Sequence, residues 1–280
     1  MLRDVKGESV AVSRPAIITL TTDFGTQDGY VGAMAGVILS QCPEARVVAI
    51  THDVPPHDLQ AGAWALRNAW PWFPTGTVHV VVVDPGVGSE RRGILVRARG
   101  QTFIAPDNGI IPEALGGTTL DEVRELGNPA ARAKTASATF HGRDVFAWAA
   151  GWLAAGNDWS ALGSPVPPSE LVTLPDRSPL VERDGERLIV VGAVMIADRF
   201  GNLVTTIGND LLPRQLGASE PRVFVNRERV PFRRTFSDVE PGQAVAYLGS
   251  SGLLEIAVNQ RSAVARFGTN PAIRVVVRKR

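Results

Sequence analysis

The chain has 280 residues, 44% of them apolar and 20% charged, with a formal net charge of +1. That length suits two domains rather than one core, and near-neutral, scattered charge excludes a dedicated nucleic-acid surface or an anchor for anionic membranes. The single cysteine, Cys42, excludes an intrachain disulfide and a thiolate metal cluster, and it fits a reducing, cytoplasmic setting.

Residues 1–14 mix acidic and basic side chains without the apolar run of a signal peptide, and they read as a loose tail. No segment approaches the roughly 20 apolar residues needed to span a bilayer. From residue 15 to 164 the pattern alternates strand and helix. Ile17 to Leu20 is a strand, and Tyr30 to Leu39 a helix with Met34, Val37 and Ile38 at helical spacing, closed by Cys42-Pro43. Arg46 to Ile50 is a second β run. Asp58 to Trp70 is a helix with Leu59, Ala63, Leu66 and Trp70 along one face, stopped by Pro71 and Pro74. His79 to Val83 has no polar alternation, as expected of a strand covered on both faces at the centre of a parallel sheet. Gly93 to Arg99 and Thr102 to Ala105, joined across Gly100-Gln101, read as a hairpin. Arg143 to Ala155 is a strongly apolar helix ending at Gly156.

Pro165, Pro167, Pro168, Pro175 and Pro179 then crowd a stretch that neither helix interiors nor central strands tolerate, which places a linker over 165–186. Residues 187–280 carry only β signals, at Arg187 to Ile196, Leu203 to Ile207, Arg222 to Val225, Ala244 to Leu248, Leu253 to Val258 and Ile273 to Val277. The predicted fold is an α/β domain with a mainly parallel sheet flanked by helices, followed by a small all-β barrel.

Three polar turns end apolar runs in the first half: Thr21-Thr22-Asp23-Phe24-Gly25, Asp84-Pro85-Gly86-Val87-Gly88 and Phe140-His141-Gly142-Arg143-Asp144. Ligands of open α/β sheets lie beyond the carboxyl ends of the strands, so Asp23 and Asp84 share a pocket if their strands are neighbours. Asp23 is placed to hold ribose hydroxyls or to cap the following helix. Asp84, with Arg91 and Arg92 close behind, is either an ionised carboxylate that handles water or half of a surface ion pair. His141 is a proton acceptor near neutral pH or a structural histidine. His52 and His57 flank Asp53 and could join Asp84 around a metal, but their spacing matches no metal motif and no metal is expected. Further on, Asp198 to Asn202 and Gly249-Ser250-Ser251-Gly252 are loops that could hold an amino acid by both ends, or simple turns.

Taken together, these motifs resemble the S-adenosyl-L-methionine (SAM) hydroxide adenosyltransferases, hydrolytic relatives of fluorinase and chlorinase, from Ile17 to about Arg278. The resemblance implies a homotrimer with SAM bound between the α/β domain of one subunit and the barrel of the next. It implies catalytic roles for Asp84, Arg91 and His141, rather than Arg92. Asp23 would hold the ribose, Phe140 would line the substrate site, Asp198 would bind the methionine ammonium and Ser250 its carboxylate. Asn202 and the backbone from Val258 to Gln260 would meet adenine. The implied reaction is attack of water on ribose C5′, giving adenosine and L-methionine with SAM and water as the only partners and no cofactor. Gly142 stands where fluorinase has a serine, which favours water over halide, and Ser251 replaces a fluorinase arginine. The alternatives are a halide nucleophile on the same fold, or a SAM or adenosine sensor without turnover.

Overall fold

Val78–Val82 is buried at every position, and the reason is its place inside a sheet. The computed structural model describes residues 15–129, 133, 136–185, 187–212 and 221–278, so the expected tail over 1–14 lies outside the described residues. Two compact units divide between Leu174 and Pro175.

The first unit is built on β1 (Ile17–Thr22), α1 (Tyr30–Gln41), β2 (Arg46–Thr51), α2 (Leu59–Ala69), β3 (Val78–Val82), β4 (Gly93–Ala98), β5 (Gln101–Pro106), α3 (Ile110–Leu115) and β6 (Glu122–Glu125). A π-helical turn over Gly142–Ala147 runs into α4 (Trp148–Ala154). The six-stranded sheet has the order β2-β1-β3-β5-β4-β6. On one face, Met34 and Ile38 of α1 pack with Phe146, Ala149 and Ala150. On the other, Ala63 and Leu66 of α2 pack with Ile110 and Ala114 of α3. Asp58 caps α2, accepting from Ala61 N at 2.9 Å.

The sheet is mixed rather than mainly parallel. β1, β2, β3 and β5 pair in parallel, whereas β4 pairs antiparallel with both β5 and β6. The cause is local: β4 and β5 are joined by Arg99-Gly100, both at positive φ (49° and 71°), a two-residue turn that can only reverse the chain.

The second unit contains β7 (Leu180–Asp184), β8 (Arg187–Gly192), β9 (Val194–Ala197), β10 (Leu203–Gly208), β11 (Arg222–Val225), β12 (Glu228–Val230), β13 (Ala244–Leu248), β14 (Leu253–Val258), α5 (Ala263–Phe267) and β15 (Ile273–Arg278). They form two antiparallel sheets, β13-β14-β10-β9 and β12-β11-β15-β8-β7, over a shared core of residues such as Val190, Leu203, Ile256 and Val275. Pairing that would close these sheets into the expected barrel is not seen among the described residues. The proline-rich stretch is more than a connector: Val166 N donates to Val123 O at 2.9 Å, Val172 N donates to Asp107 at 3.0 Å, and its last residues form the exposed edge strand β7.

His79 is a core histidine in β3. Its Nδ1 lies 2.7 Å from Thr19 Oγ1 and its Nε2 2.6 Å from Gln101 Oε1, and its ring stacks on Phe103. Burial lowers its pKa to about 4, against the opposing hydrogen bond from Gln101. As pH falls from 6.5 toward 4 the unfolded chain takes up a proton that the folded one refuses, so stability is lost across that window, by up to about 3 kcal/mol in total. Denaturant titrations at pH 7 and pH 4.5 should show this loss in the wild type and a smaller one in His79→Gln.

Candidate active site

β1 and β3 are direct neighbours, with Thr22 opposite Val82, and the chain turns outward from both strands at their carboxyl ends. The order of the sheet reverses here, because the connection through α1 leads to β2 on one side of β1 and the connection through α2 leads to β3 on the other. Asp23 and Asp84 therefore leave adjacent strand ends at a topological switch point, where ligands of such sheets bind.

The turn after β1 is pinned by the segment after β2. Gly25 N donates to His52 O at 2.8 Å and Val54 N to Thr22 O at 3.3 Å, while His52 Nδ1 meets Thr22 Oγ1 at 2.9 Å. Burial lowers the His52 pKa against the pull of Asp53, so this histidine is a neutral brace. Asp23 does not cap α1, whose N-cap is Gly29 without a side-chain bond. Its Oδ2 instead accepts from the backbone of His57 at 2.9 Å, and His57 holds a left-handed conformation (φ 66°) to present that N–H.

Asp84, Arg91 and His141 come together. Arg91 Nε donates to Asp84 Oδ1 at 2.9 Å and Nη2 donates to Oδ2, a two-point pairing. Arg91 Nη2 also lies 2.8 Å from His141 Nδ1. The Asp84 and Arg91 side chains are 6% and 12% exposed, and the Arg91 guanidinium sits 5.3 Å from the centre of the buried Phe146 ring. Guanidinium only donates, so Nδ1 of His141 accepts and the neutral imidazole carries its proton on Nε2. His141 owes its place to the π-helical turn that starts at Gly142. Gly88 (φ 82°) lets the Asp84 loop close on Ala138, whose carbonyl oxygen would lie 2.9 Å from any Cβ there.

Arg92 points away. It donates to Asp107 at 2.7 Å and to Glu170 O at 2.8 Å, and the bond to Asp107, set against partial burial, holds its pKa up. Asp144, next to His141, is also occupied: burial pushes its pKa up, but Arg143 and the Ser137 N–H bring it below the usual carboxylate range.

Beside this cluster, Phe24, Tyr30 and Phe140 meet edge to face with ring centres 5.3 to 5.9 Å apart. A side chain at Gly142 would press on Phe24 at 3.2 Å and Phe140 at 3.4 Å. Phe24 and Tyr30 were not read from the sequence as site residues, although Phe24 stands inside the Asp23 motif.

In the second unit, Asn202, Val258 and Gln260 border one open cavity of about 580 Å³ with Phe200, Phe236 and Ser262. Phe200 and Phe236 are 79% and 52% exposed, an unusual outlay of aromatic surface that the sequence reading missed. Asp198 is not among the residues that line the cavity and is held by its own loop, accepting from Phe200 N and Asn202 N at 2.9 and 2.8 Å and from Asn202 Nδ2 at 2.8 Å. Ser250 is exposed at the turn between β13 and β14 and does not line the cavity. The supposed metal set of His52, His57 and Asp84 does not assemble: among the described residues no three His, Cys, Asp or Glu side chains form a metal-binding group.

A carboxylate at a strand-end switch point, an Asp-Arg-His cluster after the neighbouring strand and an aromatic cavity in the second unit define a class of proteins with an α/β unit followed by a β unit. The chain belongs to the SAM hydroxide adenosyltransferase family, whose N-terminal domain matches residues 18–163 and C-terminal domain residues 192–276. It is 43% identical to an (R)-S-adenosyl-L-methionine hydrolase of Thermus thermophilus over 88% of this chain and 93% of that one. A fluorinase of Nocardia brasiliensis is more distant, at 28% identity over 95% and 97% of the two chains. A solved structure from Thermotoga maritima superposes with a TM-score of 0.82 at 34% identity, covering 94% of this chain and all of that one.

The two consecutive arginines bond different partners and are expected to respond differently to substitution. Arg91→Lys loses the two-point pairing but keeps a cation beside Asp84, and should lower turnover at least tenfold while costing less stability than Arg92→Ala. Arg92→Ala strands the buried Asp107 and should cost about 3 kcal/mol of stability while leaving turnover per folded molecule intact. Steady-state kinetics and denaturant unfolding on both variants check the contrast.

Proposed function

We propose that this protein hydrolyses S-adenosyl-L-methionine to adenosine and L-methionine by attack of water on ribose C5′. The observation that carries the reading is the Asp84-Arg91-His141 contact at the strand-end switch point, in a chain 43% identical to an (R)-S-adenosyl-L-methionine hydrolase.

In the step itself, the water oxygen forms a bond to C5′ while the C5′–S bond breaks, and its electron pair returns to sulfur. The sulfonium leaves as the neutral thioether of methionine, so no acid is needed on that side. Catalysis therefore concentrates on the nucleophile: holding one water in line behind C5′ and receiving its proton. His141 accepts from Arg91 at Nδ1 and so is not the base at that atom. Asp84 retains lone pairs beside its two bonds to Arg91 and is the acceptor in our reading. Arg91 keeps Asp84 ionised and oriented, and His141 helps place the water.

Asp23 takes the ribose diol, and Phe140, with Phe24, walls the reacting carbon from bulk water. Phe200 and Phe236 stack the adenine, with Asn202, Val258 and Gln260 at its edge, while Asp198 and Ser250 take the methionine ammonium and carboxylate. Gly142 supports water over halide, since a serine there would crowd Phe24 and Phe140. We further propose a homotrimer in which each site draws its catalytic cluster and its adenine cavity from different subunits, working in the cytoplasm without metal or redox cofactor.

Purified protein given SAM should release adenosine and methionine in equal amounts, and 5′-halo-5′-deoxyadenosine should be absent in chloride or fluoride. Failure to form adenosine would sink the reading, and SAM binding without turnover would make the protein a sensor. Asp84→Asn should lower turnover by about 100- to 10,000-fold, and exhaustive chelation should leave the wild-type rate unchanged. Asp84→Asn and Asp198→Asn are each expected to be inactive alone. Mixed and allowed to exchange subunits, they should regain activity at about a quarter of the sites if those sites are shared between subunits, whereas sites within one chain would regain none.

A further inference from the structure

Two parts of His57 approach the Asp23 carboxylate. Its backbone N–H donates to Oδ2 at 2.9 Å, and its ring Nδ1 lies 4.0 Å from the same oxygen. Pro55 to Asp58 form a β-turn closed by Asp58 N donating to Pro55 O at 3.0 Å, and His57 holds the third position at a φ of 66°. A turn position with positive φ favours Gly or Asn. The platform under it is stiff: Pro56 fixes one backbone angle, Asp58 caps α2, and Val54 N ties the segment to the end of β1 through Thr22 O at 3.3 Å.

The backbone bond to Asp23 would survive with glycine at 57, so it does not account for an imidazole in a left-handed turn. At 4.0 Å the ring makes no hydrogen bond to Asp23, and among the described residues it has no other hydrogen-bond partner. The His57 side chain is 73% exposed, whereas that of Asp23 is 9% exposed. A single oxygen can span the gap between them: placed about 2.8 Å from both Oδ2 and Nδ1, it would see the two at an angle of roughly 90°. A hydroxyl suits that place, because it donates to the carboxylate, which only accepts, and accepts from an imidazole N–H. An unfavourable backbone conformation that aims a polar ring beside a binding carboxylate is a signal of function.

We propose that His57 is a specificity-determining residue that donates from Nδ1 to one ribose hydroxyl of the substrate while Asp23 accepts from that same hydroxyl. The proposal rests on the reading of this protein as a SAM hydrolase with the ribose at Asp23. The pair reads a hydroxyl as donor and acceptor at once, so it selects a ribonucleoside over a deoxyribonucleoside, which would leave both groups without a partner.

The test compares SAM with its 2′-deoxy and 3′-deoxy analogues in the wild type and two variants. His57→Gly keeps the backbone N–H and suits the left-handed turn, so it removes the ring alone. It should raise KM for SAM about tenfold, as for one lost hydrogen bond, with kcat within about threefold. Toward the analogue that lacks the bridged hydroxyl, wild type and His57→Gly should have KM values within about twofold of each other. His57→Asn also tolerates positive φ, puts an amide N–H where Nδ1 stands, and should bring KM for SAM back to within about threefold of wild type. A folded His57→Gly enzyme with KM for SAM within twofold of wild type would overturn the proposal. So would an equal rise in KM for SAM and for both analogues, or a KM for His57→Asn no lower than that for His57→Gly. If His57→Gly does not fold, His57→Ala is read by the same criteria. Absence of adenosine from wild-type reactions would remove the hydrolase reading, and calorimetric binding of adenosine and its 2′-deoxy and 3′-deoxy forms then decides this proposal separately. Weaker binding of one deoxy form to the wild type but not to His57→Gly would support it, and equal binding of all three, or of none, would overturn it.

Discussion

The guanidinium of Arg91 is the interaction on which the candidate site depends. It joins residues from three separate segments, the loop after β3, the residue pair before β4 and the entrance to the π-helical turn, and only a planar fork can satisfy all of them at once. A lysine ammonium could reach Asp84 or His141 but could not bond both carboxylate oxygens and an imidazole from one rigid plane. The pairing is also nearly dry, which makes the charge of Asp84 costly unless its partner is fixed. Phe146 fixes it from below. Thus the apolar helix after Gly142 both closes the core and holds the polar cluster in place.

The same logic separates neighbouring residues into different tasks. Arg91 and Arg92 follow one another just before β4, yet their side chains bond different partners. One faces the strand ends, and the other ties Asp107 to the proline-rich stretch through Glu170. Asp144 is likewise spoken for by Arg143 and Ser137. Ionisable groups crowd this corner of the fold, yet most are satisfied by one another, and the roles left for chemistry fall on few atoms.

Much of this was legible in the sequence because its cause is local. The unbroken apolar run of β3, the helix start at Asp58, which proves to be its cap, the hairpin, expected across Gly100-Gln101 and found to turn at Arg99-Gly100, and the glycines of the Asp84 loop each state a backbone requirement within a few residues. The strand-helix alternation makes β1 and β3 parallel, but their being neighbours stood in the sequence only as a condition, and the sheet order meets it by bringing Asp23 and Asp84 to adjacent strand ends. What was missed has non-local causes. Strand β7 has five exposed residues and no alternation, and it is a strand only because β8 offers an edge. The π-helical turn differs from an α-turn by one hydrogen-bond register, which packing decides. Phe200 and Phe236 look like core residues in composition, and only the fold reveals that they stand in the open. The antiparallel edge at β4 and β6 escaped the fold class although its hairpin did not, because pairing across a sheet is not written in either strand alone.

The economy of polar groups near Asp84 becomes intelligible from the charge of the proposed substrate. A sulfonium carries its own driving force, and positive charge is lost from the reacting centre as the thioether departs, so an exposed cation near C5′ would help neither binding nor reaction. In the proposed site Arg91 meets this constraint because its charge is matched by Asp84, a neutral pair that would orient water without repelling sulfur. Aromatic walls serve the same end, since the ring faces of Phe24, Tyr30 and Phe140 exclude water while tolerating a cation. A halide nucleophile would ask for the reverse, a pocket of donors that strips and holds an anion, and the carboxylate of Asp84 would oppose it. In the proposed mechanism the preference for water thus follows from an acceptor for the protons of water at the nucleophile position, where a halide would need donors alone.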